Sequence, residues 1–483
     1  MSDPAVQQPS AEDFGSEYAA FAATLSTRDI PEPVLRGARD NLFDTLSCAI
    51  AGSSAQGVGE VRSLVEEWGG RPEAGILCSA SRVPAHHAAW VNGMMAHARD
   101  YDDTHDEAVL HAGVSVIPAA LAASQLEPRA SGADLLAGVV AGLELICRLG
   151  VGTRIGIIES GFMYTSLFGY FAATAAAARV MGLSAAQTAN ALGIAYSQAA
   201  GTHQVTRDGA GTKRMQPGFA AKAALLSAQM SRRGVRGVVH TFEGADGLFR
   251  SYLDNRVDTG RMRRGLGETY EMRNLSYKPY PCCRFNHTAI EAALLLRRRP
   301  GFDPRRIRRA VVGVTHDAHQ AVCTPEAMRR APRTIVQAQF SIPYTVACAL
   351  ADGEVALRHF TEEGLRDADI LALASRIEGR VDAGIEREWS RSISPAILRV
   401  ETGDGTFEQR IDYPKGHPRS PMTAADFDAK LAGCAAASGL DWPADLAARL
   451  HAAIDGLEQA PDSRDLIRQL TPERTAAATA PAV

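Results

Sequence analysis

The first half of the chain has apolar residues at helical spacing. Between residues 34 and 50 an apolar side chain recurs every four residues: Val34, Ala38, Leu42, Leu46 and Ile50. Gly52 then supplies a stop, and the pairs Ser131/Asp134 and Ser184/Gln187 form capping boxes ahead of apolar runs. Alanine and glycine are frequent in 171–178 and 218–226, and small side chains permit close helix packing. The pattern predicts a dense helix-on-helix core.

The pattern changes after about residue 270. Residues 310–315 form a short β-branched run, typical of a buried strand, and 340–350 returns to a helical pattern. Residues 396–401 and 407–411 flank Gly403-Asp404-Gly405, which is a hairpin signal. A helix is predicted from Thr423, with Asp426 completing a capping box. Strand, helix and hairpin in one stretch predict a small α+β domain.

The predicted fold is therefore mainly α, with two domains. A chain of 483 residues exceeds the size at which one hydrophobic core stops growing. We expect a large, discontinuous all-helical domain over 1–268 and 412–483, and a smaller α+β domain over 269–411. Residues 1–12 and 470–483 lack periodicity and are expected to be disordered tails.

Composition narrows the possible functions. Hydrophobic residues make up 46% and charged residues 22% of the chain, and the net charge is −4, so nucleic-acid binding is not expected. The eight cysteines are scattered without a C-x-x-C pair, which indicates thiols in a reducing compartment. The N-terminus lacks the regions of a signal peptide, and no run of about 18 apolar residues is present. A cytoplasmic protein that does not enter the membrane is expected.

The first polar stretch runs from His97 to His105 and is followed by His111. Three aspartates and two histidines within twelve residues suggest a metal site: Asp100, Asp102, Asp103, His105 and His111. However, the H-E-x-x-H pattern is absent, and histidines six apart do not share a helical face. Proton transfer is favoured, because carboxylates can hold a neighbouring histidine in one tautomer with a pKa near neutrality. The alternative is a set of acidic caps on a surface loop.

The second stretch, 207–218, is rich in glycine and leads into a helix. The spacing of a nucleotide-binding phosphate loop is absent, as is a preceding strand. Lys213 beside a helix N-terminus could still bind an anion. The alternative is a solvated lysine.

The third stretch, 276–287, contains Lys278, two prolines, the pair Cys282-Cys283 and His287. The prolines favour an extended backbone before a helix that begins near residue 288. Vicinal cysteines with one histidine leave a zinc tetrahedron incomplete. A cysteine nucleophile and a purely structural set of packed residues with a buried lysine or histidine both remain open.

Several ordered motifs together resemble the MmgE/PrpD family, from about residue 14 to residue 455. They are HARDYDDTHDEAVLHAGVSVIPAALA, GFMYTSLFGYFAATAAAARVMGLSAAQTANALGIA, GTKRMQPGFAAKAALLSAQMSRRGV, KPYPCCRFNH, AQFSIPYTVACAL and YPKGHPRSPMTAADFDAK. The resemblance implies a large helical domain, a smaller α+β lid, a homodimer, and an active site between the domains without metal or cofactor. It also implies a small carboxylate as substrate, such as methylcitrate, cis-aconitate or iminodisuccinate.

The resemblance also implies roles for individual residues. Asp100 would orient or polarise the site, His111 would be an acid or base, and Lys213 and Lys278 would anchor carboxylates or relay protons. Eight further positions would contact the substrate or support the site: Asp103, Thr104, Met163, Tyr164, Arg214, Tyr280, Cys283 and His287. No residue is assigned to a metal.

One position departs from the family pattern. The motif G-F-H-x-T-S usually has a histidine where this chain has Met163, which cannot ionise, although Tyr164 beside it could compensate. A tyrosine typical of the decarboxylase branch is absent between His316 and Arg333, and the spacing from Asp100 to His111 is one residue longer than in that branch. These departures argue for a divergent substrate.

The leading hypothesis is a cofactor-independent, dehydratase-like carbon–oxygen lyase that removes a proton next to a carboxylate and then undergoes β-elimination. The alternatives are an epimerase of a small dicarboxylate, a cis-aconitate-type decarboxylase, and a non-catalytic carboxylate-binding paralogue.

Overall fold

A computed structural model describes residues 13–389 and 393–471. These residues divide into two compact units. Within the described residues, the first comprises 13–98, 108–275 and 434–471, and the second comprises 99–107 and 276–433 without 390–392. The first unit is almost entirely helical and the second mixes helices with a sheet, so the protein is mostly α with a smaller α/β part. The domain bounds expected from the sequence, which differ in detail from this division, stay a prediction.

The helices and strands have the following bounds. The α-helices are α1 Phe14–Thr24, α2 Glu32–Gly52, α3 Val58–Trp68, α4 Ala85–His97, α5 Gly113–Leu126, α6 Gly132–Gly152, α7 Ile157–Ser160, α8 Tyr164–Leu167, α9 Gly169–Val180, α10 Ala185–Tyr196, α11 Gln204–Arg207, α12 Gln216–Arg232, α13 Leu248–Leu253, α14 Thr259–Arg263, α15 His287–Arg297, α16 His316–Val322, α17 Glu326–Arg330, α18 Ile335–Gln339, α19 Ile342–Asp352, α20 Ala368–Ala374, α21 Ala383–Glu388, α22 Ala424–Ser438, α23 Leu446–Asp455 and α24 Asp465–Arg468. The strands are β1 Ala74–Gly75, β2 Arg82–Val83, β3 Thr104–His105, β4 Leu275–Ser276, β5 Ile307–Val314, β6 Ile377–Val381, β7 Ala396–Thr402 and β8 Gly405–Ile411. Short 3-10 turns lie at Thr27–Asp29, Gly211–Arg214, Glu271–Asn274, Arg284–Asn286, Pro304–Arg306, Leu357–Phe360, Gly364–Arg366 and Leu457–Gln459.

The first unit is held together by tightly packed helices, as the small residues predict. A Cβ atom at Gly93 of α4 would lie 2.9 Å from the Cα atom of Gly218 of α12, and one at Gly218 would lie 2.4 Å from the Trp90 carbonyl oxygen. Real Cβ atoms do not approach other atoms this closely, so glycine is required at both positions for α4 and α12 to lie at their observed distance.

Helix α6 is a long, buried helix of the first unit. By length and hydropathy it could cross a membrane, but every residue of its apolar window is buried within the unit, as in the core helix of a soluble protein. Glu144 and Arg148 form an ion pair of 2.5 Å inside this helix, and both side chains are almost fully buried. The Arg148 guanidinium also donates to the carbonyls of Met262 and Thr269, both at 2.7 Å, which connects α6 to α14 and to the segment after it.

The second unit is built on a four-stranded sheet with the order β6-β5-β7-β8. β5 pairs parallel with β6 and antiparallel with β7, and β7 and β8 form the expected hairpin. The apolar residues of β5 and β7 pack against α15 and α19 in one core. The hairpin is confirmed, and β6 adds a parallel strand that the sequence pattern did not predict.

Most predicted helix signals are confirmed. The capping boxes at Ser131 and Ser184 are both present, and Asp426 accepts from the Thr423 backbone N–H at 2.8 Å. Helix α2 ends at Gly52, as predicted. The helix predicted over 340–350 is confirmed as α19, which begins at Ile342 because Ser341 caps it by accepting from the Tyr344 N–H.

The predicted C-terminal tail begins too early. Leu470 is buried, and its carbonyl accepts a hydrogen bond from the Cys78 N–H at 3.0 Å, so residue 470 belongs to the folded first unit. The remaining predicted tail residues, 1–12 and 472–483, lie outside the described residues.

Candidate functional site

Two imidazoles and one ammonium group meet in the first unit. The Lys213 Nζ atom lies 3.3 Å from His97 Nε2, and the His97 and His111 ring centroids are 4.9 Å apart at an angle of 71°. His97 is buried and His111 is partly buried. We call Lys213, His97 and His111 the imidazole–lysine cluster. It joins two residues predicted as catalytic, His111 and Lys213, through a histidine that was not predicted.

The helix packing explains why this cluster forms. His97 is the last residue of α4, and Lys213 lies on the 3-10 turn that leads directly into α12. Because the glycines of α4 and α12 allow those helices to pack closely, the end of one and the start of the other bring these side chains together. His111 precedes α5, and its backbone N–H donates to Thr165 Oγ1 at 2.9 Å.

The cluster has the chemistry needed to move a proton. An ammonium group can donate to an unprotonated imidazole nitrogen, and His97 Nε2 lies 3.3 Å from Lys213 Nζ. Imidazole groups serve as acids and bases in enzymes, and an ammonium group beside them can bind an anion. Nearby, burial and the positive charges of Arg207 and Lys213 lower the pKa of His203.

The residues predicted around the GFMYTS motif also lie in the first unit. Met163 is held by a backbone hydrogen bond to the Gly201 carbonyl at 2.8 Å, and its sulfur accepts from Thr206 Oγ1 at 3.8 Å. The buried Tyr164 hydroxyl donates to the Ile155 carbonyl at 2.5 Å, and burial raises the Tyr164 pKa. The Tyr164 hydroxyl is therefore engaged with backbone. Arg214 follows Lys213 on the same turn and is partly buried.

In the second unit, Lys278 and Asp100 form a buried ion pair. Lys278 is 1% exposed, and its Nζ donates to Asp100 Oδ1 at 2.6 Å and to the Asp100 carbonyl at 2.9 Å. Asp100 has φ 53°, a left-handed conformation that lets its carbonyl and carboxylate face the same ammonium group. Burial lowers the Lys278 pKa, but Asp100 and Asp102 outweigh it, so the net pKa is raised and the lysine stays charged.

Three further predicted residues of the second unit, Tyr280, Cys283 and His287, lie in the stretch from Lys278 to the first turn of α15. His287 is buried, with Nε2 3.3 Å from the Cys282 carbonyl oxygen, and its ring centroid is 5.2 Å from that of Tyr280. Burial, followed by the charges of Arg284 and Lys278, keeps the His287 pKa well below its ordinary value, so His287 is neutral. The Cys283 thiol interacts electrostatically with Lys278.

A second buried ion pair was not predicted. Arg284 binds Asp106 through Nε to Oδ1 at 3.0 Å and Nη2 to Oδ2 at 3.2 Å, a bidentate arrangement. Ser276 Oγ and Thr104 Oγ1 also donate to this carboxylate, at 2.6 and 3.1 Å. Arg284 and the other charges hold the Asp106 pKa below its ordinary value in spite of burial. Predicted residue Asp103 is fully buried in the same segment.

The predicted site residues thus form two groups. His111 and Lys213 belong with His97 in the first unit, and Asp100 and Lys278 belong to the second. The residues that the sequence argument missed are His97, Asp106 and Arg284. Each lies inside one of the motifs by which the sequence resembles the family. The charged or ionisable side chains of those motifs were therefore the signal that could have identified these residues.

Two domains of one known protein family match this chain. Residues 16–259 match the MmgE/PrpD N-terminal domain, and residues 280–455 match the MmgE/PrpD C-terminal domain. The chain belongs to the MmgE/PrpD family. The predicted resemblance is confirmed over nearly all of the described chain.

Curated relatives of this MmgE/PrpD protein carry decarboxylase names. It is 27% identical over 428 residues to a cis-aconitate decarboxylase-like protein of Aspergillus oryzae, covering 83% of this chain and 86% of the relative. It is 25% identical over 438 residues to the cis-aconitate decarboxylase of Aspergillus terreus, covering 84% and 86%. It is 24% identical over 427 residues to the cis-aconitate decarboxylase of Homo sapiens, covering 86% of each. Cis-aconitate decarboxylases are enzymes, which supports the prediction that this protein is an enzyme as well.

Proposed function

We propose that this MmgE/PrpD protein is a cofactor-independent lyase that transfers a proton at a carbon next to a carboxylate of a small substrate. The observation that carries the proposal is the imidazole–lysine cluster, in which Lys213 Nζ lies 3.3 Å from His97 Nε2 and the His97 ring contacts His111. Proton removal next to a carboxylate needs a base and a cation that stabilises the developing charge, and this cluster has both.

The leading reaction is β-elimination. One imidazole of the cluster, with His111 as the first candidate, takes the C–H proton. The electron pair left on that carbon forms a carbon–carbon double bond, and the hydroxyl group of the adjacent carbon leaves as water after it takes a proton from the second imidazole of the cluster in its protonated form. Lys213 binds the substrate carboxylate and stabilises the charge of the enolate-like transition state. Arg214, next to Lys213, is proposed to bind a second oxygen of the substrate.

Asp100 and Lys278 have a separate role in the proposal. Because this pair is buried and paired within 2.6 Å, its charges are fixed in place and do not need to reorganise. We assign the pair to orienting the segment that carries Asp103 and Thr104 within the second unit.

Decarboxylation is the second candidate, because the curated relatives are named for it. In that reaction a carbon–carbon bond breaks, carbon dioxide leaves, and the cluster delivers a proton to the carbon that retains the electron pair. The residues of the imidazole–lysine cluster serve both reactions. Elimination needs an unprotonated imidazole as the base, whereas decarboxylation needs a protonated group that delivers the proton. Met163 and Tyr164, which offer no free acid–base group in the motif where the family usually has a histidine, favour a substrate different from that of the relatives.

One experiment separates the possibilities. The purified protein is incubated in D2O with a panel of 2- and 3-hydroxycarboxylates and unsaturated tricarboxylates, and the products are followed by NMR and by carbon dioxide release. A vinylic product without carbon dioxide supports elimination, and carbon dioxide supports decarboxylation. Deuterium at Cα without an unsaturated product indicates epimerisation.

The matched variants are Lys213→Met and Lys415→Met. The first removes the ammonium group of the cluster, and the second removes a lysine that pairs with Asp426 in the second unit. Loss of turnover in Lys213→Met alone supports the proposal. If neither variant changes turnover, or if no substrate of the panel reacts or exchanges deuterium, the proposal is wrong.

A further inference from the structure

A cluster of aromatic rings covers one face of the first unit, made by α3, α4 and α12. We call it the aromatic patch, and its members are Trp68, His86, His87, Trp90, Phe219 and Lys222. The ring centroids of Trp68 and Trp90 are 6.2 Å apart, those of Trp90 and Phe219 are 5.3 Å apart, and those of Trp68 and His87 are 5.3 Å apart. These rings therefore form one continuous surface.

Much of this surface faces solvent in the single chain. Trp68 is 53% exposed, Phe219 is 36% exposed, and Leu64, one turn before Trp68 on α3, is 37% exposed. Single exposed apolar side chains are common in soluble proteins, but a contiguous set of large rings is typical of an interaction surface. Aromatic residues are also the residues most enriched among the energetic centres of protein interfaces.

The patch also contains polar groups that lack partners. Lys222 Nζ lies over the Trp90 ring at 4.5 Å and over the Trp68 ring at 5.9 Å, and among the described residues no carboxylate is within ion-pair distance of it. Trp90 is 7% exposed, yet its Nε1–H has no acceptor in the described part of the chain, and the same holds for His87 Nδ1. Buried polar groups are normally hydrogen-bonded, so an acceptor from outside the chain would complete this surface.

Burial and neighbouring groups, including Lys222, lower the pKa of both histidines of the patch. Burial and the Lys222 charge lower the pKa of His86, and burial, His86 and Lys222 lower the pKa of His87 to about 4. Both imidazoles are therefore neutral, and Lys222 is the cation for which the patch lacks a counter-charge. A carboxylate next to apolar side chains would match it.

Helix α3 carries that combination beside the patch. Glu60, Leu64 and Glu67 lie on one face of α3 because they are four and three residues apart, and all three are exposed. Among the described residues neither glutamate forms an ion pair. The surface thus offers an unpaired cation, unpaired carboxylates and exposed rings side by side, which makes it complementary to itself.

A self-complementary face is what a twofold dimer requires, because the same patch then serves both copies. We infer that the aromatic patch is the face through which two copies of this chain associate, with Lys222 of each copy next to an α3 carboxylate of the other. The homodimer itself was expected from the family resemblance, and the structure assigns the surface. The inference does not depend on the proposed lyase activity.

Sedimentation equilibrium over a range of protein concentrations tests the assignment. The wild type is expected to dimerise, and Trp68→Ala is expected to raise the dimer Kd by about 30-fold or more, as loss of a central interface aromatic does. The matched control is Ile158→Ala on α7, which removes an apolar side chain that is 61% exposed elsewhere on the same unit. Circular dichroism checks that both variants remain folded.

Charge reversal tests the proposed pairing. Lys222→Glu is expected to weaken the dimer, and addition of Glu67→Lys or Glu60→Lys to it is expected to restore dimerisation. A wild type that stays monomeric, or a Trp68→Ala Kd equal to that of Ile158→Ala, overturns the assignment. Failure of both double variants to regain any affinity also counts against it. Because the readout is molecular mass, a failed lyase assay would leave this result intact.

Discussion

Removing the carboxylate of Asp100 should destabilise the second unit strongly. Asp100→Asn keeps the shape of the side chain but leaves the Lys278 ammonium, 1% exposed, without its partner at 2.6 Å. Breaking a buried ion pair in this way usually costs about 3–5 kcal/mol, because an uncompensated charge stays buried. The Asp100 carbonyl, 2.9 Å from Nζ, and the charge of Asp102 both remain, so the expected loss is near the lower limit.

The expected change is measurable by thermal unfolding. A loss of about 3 kcal/mol corresponds to a decrease in Tm of about 6–12 °C for a unit of this size. The raised pKa of Lys278 means that the stabilisation is present below the ordinary lysine value of 10.5 and is lost as pH rises through the raised folded value. The measurement is therefore made at neutral pH, where the pair contributes fully.

Two further variants make the experiment decisive. Asp100→Asn combined with Lys278→Met removes both charges of the pair, and part of the lost stability should return because no buried ammonium group is left without its partner. Glu362→Gln is the control, since Glu362 pairs with Arg366 at 3.9 Å and both side chains are at least 80% exposed. The reasoning is refuted if Asp100→Asn melts at the same temperature as Glu362→Gln, or if the double variant is no more stable than the single one.

Four further predictions follow from single residues. Lys213→Met should lower kcat/KM by about 100-fold or more, with little change in Tm, in steady-state assays on the substrate that the screen identifies. Wild-type stability should fall as pH drops below 6.5, because the buried His287 stays neutral when folded and gains a proton on unfolding; melts of His287→Gln across this range should show a weaker pH dependence. Glu144→Gln should cost about 3 kcal/mol in urea unfolding, because Arg148 keeps its buried charge, and a loss under about 1 kcal/mol would contradict this. Val109→Asn should raise stability by about 1 kcal/mol, since Val109 has φ 53° and asparagine tolerates that conformation, and an unchanged urea midpoint would count against strain there.

The parts of the fold that depend on residues close together in the sequence were predictable. The boxes at Ser131 and Ser184 and the hairpin around Asp404 are short-range signals, because the partners lie within a few residues. β6 was missed because its partner β5 is about 70 residues earlier. Glu378 and Arg380 also replace the apolar pattern of a buried strand, as is common at the edge of a sheet.

The candidate site was only partly predictable for the same reason. The residue types at His111, Lys213 and Lys278 were recognisable from their motifs. The contact between Lys213 and His97 depends on residues more than a hundred positions apart, and it forms because Gly93 and Gly218 let α4 and α12 approach each other. Glycine in a sequence indicates that a close approach is possible, but it does not identify the partner.

The stretch from His97 to His111 determines much of the proposed chemistry, because one short segment contributes to both units. His97 and His111 belong to the first unit, whereas residues 99–107 belong to the second. Near its two ends stand Asp100 and Val109, both with φ 53°, a conformation that non-glycine residues adopt at a cost and retain where the surroundings impose it. At Asp100 that conformation directs two oxygens to Lys278, and Val109 fixes the chain two residues before His111. The positions of the ion pair and of the imidazole therefore depend on the backbone of this segment. Met163 lies outside it, so under the proposed function a change at that position is expected to leave the geometry of His97 and His111 unchanged.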